Sequence, residues 1–402
     1  MEKRVRRILL VCNNYDSFAL EEDGRIDVQI AQEYLELNLS NPPSITRAET
    51  TSEALALMKS QESGVKSQDS FDLILVVYSA GGTEVWDFAA EAKKLQPGCP
   101  IVLLSSFSKE VYRRIEHHDQ SNIDYFFNWN NSTDLIIAII KLIEDRLNAE
   151  HDILVEGVRA ILLVEDSVRY YSTYLPLLYK LILRQNSLAI RDALNEKQQL
   201  LRKRARPKVL MATCYDEAVS LYRQYSANII GVISDIGFVI HKGDPSSTEK
   251  LDAGIDLCRL IREDNPTMPF LMQSSQQSMH STANKLKVGF VMKSSKTLTQ
   301  EVSEYIEREF GFGDFIARDP RTGKEIARAS DLEGFEQIIS TISPAAFRRL
   351  SDNNYLSKWL FARGLFSVGR PVSALKIADD TDIEHIRQTN IRLIHDYRIH
   401  QA

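Results

Sequence analysis

The sequence has little of several features that identify common classes of protein. Its four cysteines, at positions 12, 99, 214 and 258, show no CxxC spacing, which fits a reducing cytosol and no zinc site. No apolar run approaches the ~18 residues of a membrane span, and the short run after the basic start is too brief for a signal peptide. The net charge of −6 over 402 residues is mild and argues against a nucleic-acid or membrane-surface role. These absences predict a cytoplasmic protein that binds neither nucleic acid nor membrane.

Motifs for nucleotide binding are also missing. Neither GxGxxG nor GxxxxGK[ST] occurs in the chain, so a metabolic enzyme built on a dinucleotide-binding or P-loop fold is poorly supported.

Three short apolar runs each end on charged residues. They are Ala160–Ser167 with Glu165 and Asp166 near its end, Ile229–Asp235, and Val288–Lys293. Apolar runs of this length are typical of strands buried on both faces of a parallel sheet. Because ligands bind beyond the carboxyl ends of such strands, we expect three carboxylates and a lysine to converge there. Carboxylates so close together suit a Mg²⁺ ion, and the lysine suits a phosphoryl group brought to that ion.

This pattern resembles the response-regulator receiver domain over about residues 158–311. The resemblance implies that Glu165 and Asp166 hold Mg²⁺, that Asp235 accepts the phosphoryl group, and that the carbonyl of Gly237 completes the metal shell. It further implies that Lys293 pairs with the phosphate, and that Ser274 and Phe290 act as the switch residues. One departure is visible: Ser294 follows Lys293 where the family usually has proline. A single acid after a strand is commonly only a helix cap, so the prediction depends on the whole set.

The strands of this segment occur twice in the chain. Residues 7–14, 72–79, 100–105 and 123–128 align with 160–167, 228–235, 269–274 and 288–293. Amphipathic segments separate the strands, which predicts parallel sheets with right-handed crossovers. We therefore predict two doubly wound, five-stranded flavodoxin-like receiver domains over 1–150 and 151–311. A mostly helical region follows over 312–402.

The first copy lacks the chemical groups of the second. In the alignment, Cys12 and Asn13 replace the acidic pair, Ser79 replaces the acceptor aspartate and Asn128 replaces the lysine, whereas Ser105 and Tyr125 keep receiver character. Without carboxylates the site cannot concentrate Mg²⁺, and a serine without an adjacent base is a poor nucleophile. The first domain is predicted to be a pseudo-receiver that packs or binds a partner.

The second copy contains an insertion between Ser167 and Val209. Apolar residues recur at helical spacing over 171–182, and the helix-compatible pattern continues to Leu201, which predicts a helix of over thirty residues. Such a helix would reach beyond a receiver core and favours docking within the chain or a homodimer. The basic run 202–208 is interpreted as a solvated helix end.

The tail changes in character. Asp314–Ile326 is predicted to be an extended segment with a turn, and helices are predicted over 331–340, 344–350, 356–361 and 382–400. The last helical pattern runs to the chain end without a cap, as expected of a piece of a longer protein. With the tandem receivers, Asn354–Gly364 resembles the amino-terminal part of bacterial phosphoenolpyruvate synthase-like (PEP/pyruvate-binding) proteins.

Taken together, these patterns predict a two-component response regulator that is not itself an enzyme. The partner implied is a histidine kinase or a phosphotransfer protein, and the regulated output implied is a phosphoenolpyruvate synthase-like domain. The alternative is a receiver-like scaffold that is never phosphorylated, against which the intact acids and Lys293 argue.

Overall fold

A computed structural model of the chain describes residues 3–14, 25–62, 70–78, 84–105, 121–129, 132–191, 199, 202 and 205–400. These residues form two compact units. The first unit comprises Met1–Asn148 and Ser167–Lys180, and the second comprises Ala149–Asp166 and Leu181–Ala402. Within the described residues, no helix is both long enough and apolar enough to span a membrane.

The first unit is built on a five-stranded parallel sheet of order β2-β1-β3-β4-β5. The strands are β1 (Arg7–Val11), β2 (Ser44–Ala48), β3 (Leu73–Tyr78), β4 (Ile101–Ser105) and β5 (Tyr125–Asn128). The described helices are α1 (Ile26–Glu36), α2 (Thr51–Glu62), α3 (Glu84–Leu95) and α4 (Thr133–Ala149), which continues into a π-helical turn, Glu150–Val155. The edge strand β2 is polar and only partly buried, which explains why hydrophobic repeats did not reveal it.

The second unit repeats this topology in its own sheet, of order β10-β9-β8-β6-β7. The strands are β6 (Ala160–Val164), β7 (Lys208–Ala212), β8 (Ile229–Asp235), β9 (Phe270–Ser274) and β10 (Gly289–Met292). The helices that follow these strands are α5 (Val168–Arg191), α6 (Tyr215–Tyr225), α7 (Ala253–Asp264), α8 (Met279–Leu286) and α9 (Leu298–Glu309). Residues of α5 up to Lys180 belong to the first unit. Counted along the chain, both sheets have the order 2-1-3-4-5 of flavodoxin-like proteins. The predicted fold class is confirmed.

The strands are almost continuous apolar runs because both faces of each sheet are covered. All five residues of β6, β7 and β9 are buried. One face of the second sheet packs on a core that contains Leu162, Leu210, Val232, Phe270 and Met272. With the interior filled by aliphatic and aromatic side chains, polar groups are left for the strand ends.

A buried ion pair also holds the second unit together. Lys208, the first residue of β7, places its Nζ 2.7 Å from Oδ2 of Asp152, and the two side chains are 0% and 1% exposed. Burial raises the pKa of Asp152, but Lys208 outweighs it and the net pKa is lowered. Nothing in the sequence pattern indicated this pair, because its members lie 56 residues apart, at the start of a strand and in a π-helical turn.

Helix α5 was predicted as more than thirty residues, and 24 of them, Val168–Arg191, lie in the described part. Pro176 lies inside this helix. The amino-terminal half of α5 packs within the first unit. The Tyr171 hydroxyl donates to the Phe126 carbonyl, the Tyr179 hydroxyl donates to Asp145 Oδ2 at 2.9 Å, and the Asn128 N–H donates to Ser172 Oγ at 2.9 Å. The first unit therefore uses the end of β5 and a face of α4 to hold this helix.

The C-terminal region contains an antiparallel hairpin of β11 (Phe315–Arg318) and β12 (Glu325–Ala329), followed by helices. These are α10 (Leu332–Thr341), α11 (Pro344–Asp352), α12 (Tyr355–Ala362), α13 (Phe366–Ala374) and α14 (Ile383–His400). Ser343 caps α11 by accepting the Ala346 N–H, as the Ser-Pro start predicts. The sequence did not predict α13, since Gly369 and Pro371 are poor helix formers. Tertiary packing explains this: a Cβ at position 369 would lie 2.7 Å from the Phe361 ring.

Candidate functional site

The carboxyl ends of β6, β8 and β10 bring the predicted site residues together. Glu165 and Asp166 follow β6, Asp235 is the last residue of β8, and Lys293 follows β10. Each side chain therefore leaves the sheet at the same edge, although β9 separates the lysine from the nearest acid. The long lysine side chain is what spans that strand.

The three acids form a cluster suited to a hard cation. Glu165, Asp166 and Asp235 can each offer a carboxylate oxygen, and these oxygens all lie within 4.8 Å of one another. Glu165 is fully buried, whereas the two aspartates are partly exposed. Three oxygen donors with access from one side fit Mg²⁺, which keeps several waters and takes few protein ligands.

Lys293 pairs with two of these acids. Its Nζ lies 2.7 Å from Oε2 of Glu165 and 2.5 Å from Oδ2 of Asp235, and its side chain is 3% exposed. Burial lowers the pKa of Lys293, but Glu165 and Asp235 outweigh burial and the net pKa is raised. The ammonium group therefore stays charged and is already held beside Asp235.

Backbone contacts orient Asp235. Its Oδ1 accepts the N–H of Ile236 at 2.7 Å, while its Oδ2 takes the lysine. Behind it, helix α7 approaches so closely that a Cβ at Gly254 would lie 2.1 Å from the Asp235 carbonyl oxygen. Only glycine allows this approach, and the Gly254 N–H donates to Ile236 O at 2.9 Å. The side chain of Asp235 and the backbone of Asp235 and Ile236 are therefore both held by close contacts.

Crowding of carboxylates changes the acidity of the site. The pKa of Asp166 is raised to about 7, first by burial and then by Glu249 and Asp235, against a hydrogen bond from the Val239 N–H. Burial also raises the pKa of Glu165, against the attraction of Lys293. Burial is the larger cause of both shifts, and repulsion from the neighbouring carboxylates adds to it.

The two predicted switch residues share one face of the sheet. The register pairs Ser274 with Met292 and Met272 with Phe290, so the side chains of Ser274 and Phe290 lie on the same side. Ser274 Oγ accepts the Gln276 N–H at 3.0 Å and keeps its own hydrogen for another acceptor. The half-buried Phe290 ring packs edge-on against His280, with 5.3 Å between centroids.

Gly237 lies two residues after Asp235 in a partly buried turn. A Cβ there would meet Leu251 at ordinary contact distance, 3.6 Å. The position is therefore not restricted to glycine by space, and a role for its carbonyl stays a prediction.

The register of the first sheet corrects two positions of the alignment. Val11 pairs with Val76 in the first unit and Val164 pairs with Ser234 in the second. The equivalent of Asp235 is therefore Val77 and not Ser79, which lies outside the described residues. A bulge in β8 opposite Ala160 and Ile161 adds one residue to that strand, and the aligned runs differ by one more residue in where they begin.

The lysine position is also displaced by one residue, because the aligned runs before β5 and β10 begin at different points of the register. Ser105 pairs with Asn128, whereas Ser274 pairs with Met292. Trp129 therefore stands where Lys293 stands in the second unit: its N–H donates to Ser105 O at 2.8 Å, as the Lys293 N–H donates to Ser274 O at 2.9 Å. By the same register Phe126, not Tyr125, corresponds to Phe290.

The acid pair of the first unit is aligned as predicted. The Cys12 N–H donates to Ala48 O, as the Glu165 N–H donates to Ala212 O, each at 3.0 Å. With Cys12 and Asn13 after β1, Val77 at the acceptor position and Trp129 at the lysine position, no charged group stands at any of these four positions.

Sequence reasoning missed two residues near the second site. Glu249 lies on the loop after β8, and its pKa is raised first by burial and then by Asp235, so it faces the acids. Gln273 pairs with Asp235 in the register and is fully buried. Neither atom of its side-chain amide has a partner among the described residues. For Gln273, the available signal was a polar residue directly after the apolar run Pro269–Met272, inside the predicted strand.

Comparisons with known proteins add solved structures but no family. No family model matches the chain, and no curated protein matches it. A putative two-component system response regulator/GGDEF domain protein is 16% identical, with 75% of this chain and 98% of that chain covered and a TM-score of 0.29. A probable protein of the same description is 16% identical, with 75% of this chain and 98% of that chain covered and a TM-score of 0.31. Full-length ShkA in complex with AMPPNP is 15% identical, with 76% of this chain and 51% of that chain covered and a TM-score of 0.22. The receiver-like fold is therefore assigned from strand order and register.

Proposed function

We propose that the second unit is a signalling receiver that accepts a phosphoryl group on Asp235. The observation that carries this proposal is the grouping of Asp235 with Glu165 and Asp166, with the Lys293 ammonium already on Asp235 Oδ2. The donor would be a phosphohistidine on a histidine kinase or a phosphotransfer protein. A cytoplasmic location belongs to the same proposal.

In the transfer, Asp235 is the nucleophile. One of its carboxylate oxygens attacks phosphorus, and an O–P bond forms while the P–N bond to the donor imidazole breaks. The electron pair of that bond returns to the imidazole nitrogen. Asp235 is suited to this role because the Ile236 N–H and Lys293 fix its two oxygens in place, which removes the entropic cost of orienting the nucleophile. Each oxygen still has a further lone pair.

The other side chains manage charge. Lys293 is placed to hold a phosphoryl oxygen when its contact with Asp235 is exchanged for the phosphate. Glu165, Asp166 and Asp235 fit Mg²⁺, which when bound would neutralise the phosphoryl oxygens and the acids together. The Ser274 hydroxyl, held by Gln276 through its oxygen, can turn its hydrogen to the new anion.

The phosphorylated state would be read through structural elements next to the site. Phe290 shares a face with Ser274, so a shift of the hydroxyl leaves space that the ring can enter. Helix α5 begins two residues after Asp166 and its first half is held by the first unit. Movement of the loop before α5 would therefore reach the first unit along the chain itself.

We assign the first unit to packing and not to phosphoryl transfer. Its contacts with Tyr171, Ser172 and Tyr179 favour the scaffold role for this unit alone. We further propose that the chain is regulatory and not itself an enzyme. Control of a phosphoenolpyruvate synthase-like output remains part of this proposal, on the resemblance of residues 354–364.

The decisive experiment is incubation of the full chain with Mg²⁺ and acetyl phosphate, followed by mass spectrometry of the intact protein and its peptides. We expect a gain of one phosphoryl group, located on Asp235, that is labile to base as acyl phosphates are. Asp235→Asn should abolish the gain, because an amide oxygen is a poor nucleophile for phosphorus.

Asp396→Asn is the matched control, since Asp396 is an exposed aspartate on α14. This variant should be phosphorylated like the parent chain. The proposal would be contradicted if Asp235→Asn still gained the phosphoryl group. It would also be contradicted if the parent chain gained the group equally well without Mg²⁺. A chain that binds Mg²⁺ normally but never gains mass would favour the scaffold alternative for both units.

A further inference from the structure

A cavity of about 400 Å³ lies where the C-terminal helices meet α9 of the second unit. It is bounded by the end of α9, the hairpin of β11 and β12, and helices α11 and α12. None of its lining residues belongs to the carboxylate site. Its size falls in the range of small-molecule sites, about 300–1,000 Å³, so a ligand is worth considering.

The walls combine an apolar base with charged residues. Phe315, Leu350 and Trp359 are buried and line the cavity together with the half-buried Tyr355. The Tyr355 hydroxyl donates to Glu309 Oε2 at 2.9 Å, which leaves the ring to form part of the wall. This lining favours a ligand with an apolar or aromatic body.

Four arginines and three acids, Glu304, Glu307 and Asp314, also line the cavity, and the arginines fall into two pairs. Arg308 and Arg328 are neutralised, because Arg308 pairs with Glu309 and Arg328 pairs with Asp314 and Glu325. Arg318 and Arg349 have no carboxylate partner among the described residues.

Both of the latter arginines point to the same turn. Arg318 Nη1 donates to Gly323 O, and Arg349 Nη1 donates to Pro320 O, each at 3.3 Å. These are long bonds to neutral carbonyls, and each guanidinium has five N–H donors in all. Neither guanidinium forms a salt bridge among the described residues, although Arg318 helps to lower the pKa of Glu325. Two guanidinium groups at one turn suit a carboxylate or phosphate.

The base of the cavity has a further polar group. Trp359 is 2% exposed, stacks on Phe335 with 4.5 Å between centroids, and has the Arg363 guanidinium 3.7 Å from its ring. Its indole Nε1 is buried and has no acceptor among the described residues. Buried tryptophans usually bond this N–H, so the indole N–H is a free donor beside the cavity among the described residues.

The segment between α9 and β11 forms one side of the cavity, and close contacts restrict its backbone. Gly311 has a φ of +83°, and a Cβ there would lie 2.7 Å from the Lys358 backbone. Arg363 Nη1 and Nη2 donate to the carbonyls of Gly311 and Gly313 at 3.3 and 2.5 Å. The cavity is therefore held open by fixed backbone.

We propose that this cavity binds a small organic anion. Its apolar or aromatic body would lie against Phe315, Leu350 and Trp359, and its carboxylate or phosphate would bond to Arg318 and Arg349. The inference does not depend on phosphorylation of Asp235, and it makes the C-terminal helices a ligand-binding module and not only a linker.

The test uses the full chain labelled with ¹⁵N and NMR of its indole N–H groups. The chain has three tryptophans, and Trp359→Phe assigns the signal of interest. Phenyl phosphate and benzoate are the aromatic anions, while inorganic phosphate and phenol are the controls for the anion and the ring alone. We expect a saturable shift of the Trp359 signal at sub-millimolar concentration of at least one aromatic anion. Phosphate and phenol should bind at least about tenfold more weakly.

Two variants locate the anion. Arg349→Met should weaken binding by about tenfold, because methionine removes both the charge and the donors. Arg318→Lys should weaken binding by less, because lysine keeps the charge but loses the planar pair of donors. Arg321→Met is the matched control: it removes an exposed arginine from the same turn that does not line the cavity. An unchanged Trp359 signal in the free variants verifies that the fold is intact.

Several results would overturn the proposal. If neither aromatic anion gives a saturable shift, the cavity is not a ligand site of this kind. If phenol binds as tightly as the aromatic anions, the anionic group is not recognised. If inorganic phosphate binds as tightly, the apolar body is not recognised. Undiminished binding in Arg349→Met and Arg318→Lys removes the assigned contacts.

Discussion

At the scale of residues, the carboxylate site brings three acidic side chains together with one lysine. Three carboxylates meet within 4.8 Å, and one ammonium group contacts two of them. The arrangement raises the pKa of Asp166 and Glu165 because burial and mutual repulsion disfavour the charged forms. The same repulsion is what makes the site receptive to a cation.

This repulsion predicts a pH dependence for metal binding. The pKa of Asp166 rises from its usual 3.8 to about 7. The stability that this carboxyl contributes to the metal-free fold is therefore present below about pH 4 and lost as the pH rises through about 7. Mg²⁺ needs the carboxylate form, so it should bind about tenfold more tightly at pH 8 than at pH 6. Calorimetry at both pH values, with proton release measured from two buffers, tests this.

Asp166→Asn is the comparison variant for that titration. It should bind Mg²⁺ weakly at both pH values and release fewer protons. A parent chain whose affinity is flat between pH 6 and pH 8 would show that Asp166 is already ionised in the metal-free protein.

Gln273 illustrates the cost of a polar group inside the sheet. Its side chain is 0% exposed and its amide lacks partners among the described residues. Such a group costs about 1–3 kcal/mol, so Gln273→Met, which keeps the shape, should stabilise β9 by about 1 kcal/mol or more. Native-state hydrogen exchange of the β9 amides measures this without assuming that the whole chain unfolds in one step.

The exposed residue Gln277 provides the control. Gln277→Met should change the opening free energy by less than about 0.5 kcal/mol. If Gln273→Met destabilises β9, the amide has a favourable role that its static contacts do not reveal.

At the scale of elements, α5 is the unusual part of this fold. It starts two residues after Asp166, and its first half is bonded to the Phe126 carbonyl, the Asn128 N–H and Asp145 of the first unit. The division between the two compact units falls inside this helix, after Lys180. The chain therefore passes directly from Asp166 of the site into the half of α5 that belongs to the first unit.

From this arrangement we predict coupling through α5. Beryllofluoride with Mg²⁺, which mimics the phosphoryl group on Asp235, should change amide hydrogen exchange of residues 168–180. The physical requirement is that the mimic favours one of two packings of this half-helix, since equal affinity for both shifts nothing. Exchange is measured by mass spectrometry on the full chain with and without the mimic.

Two variants sharpen the experiment. Tyr179→Phe removes the bond to Asp145 and should loosen residues 175–183 whether or not the mimic is bound. Asp235→Asn should show no response to the mimic. Unchanged protection in the parent chain, with the mimic bound at Asp235, would leave α5 a passive spacer.

At the scale of the whole molecule, the two sheets have the same strand order but not the same chemistry. Val77, Trp129, Cys12 and Asn13 occupy the acceptor, lysine and acid-pair positions of the first unit. A valine cannot accept a phosphoryl group, and uncharged side chains cannot concentrate Mg²⁺. Among the described residues, the two units share a strand order, and only the second has charged groups at these positions.

The full chain should therefore bind one Mg²⁺ and take up one phosphoryl group. Calorimetry should give a single sub-millimolar Mg²⁺ site, and Asp235→Asn should leave no residual phosphorylation on residues 1–148. A second tight Mg²⁺ site, or a phosphopeptide from the first unit, would show that the degenerate copy keeps a function that its register does not indicate.

Much of this protein was determined by local sequence. Short apolar runs that end on charge, such as Ala160–Val164, favour central strands, because a strand buried on both faces fits the middle of a parallel sheet. Their ends then place Glu165, Asp235 and Lys293 at one edge. Fold class and the composition of the carboxylate site follow from this pattern alone.

The rest depended on contacts between distant residues. Strand register decided that Val77 and Trp129, not Ser79 and Asn128, occupy the equivalent positions, because a bulge in β8 and different starting points of the aligned runs shift the pairing. Helix α13 forms despite Gly369 and Pro371 because its packing on Phe361 outweighs propensity. The pair of Lys208 and Asp152, and the cavity beside Trp359, exist only once separate elements have met. Such features leave no local signal, since their energy arises between groups that sequence spacing does not relate.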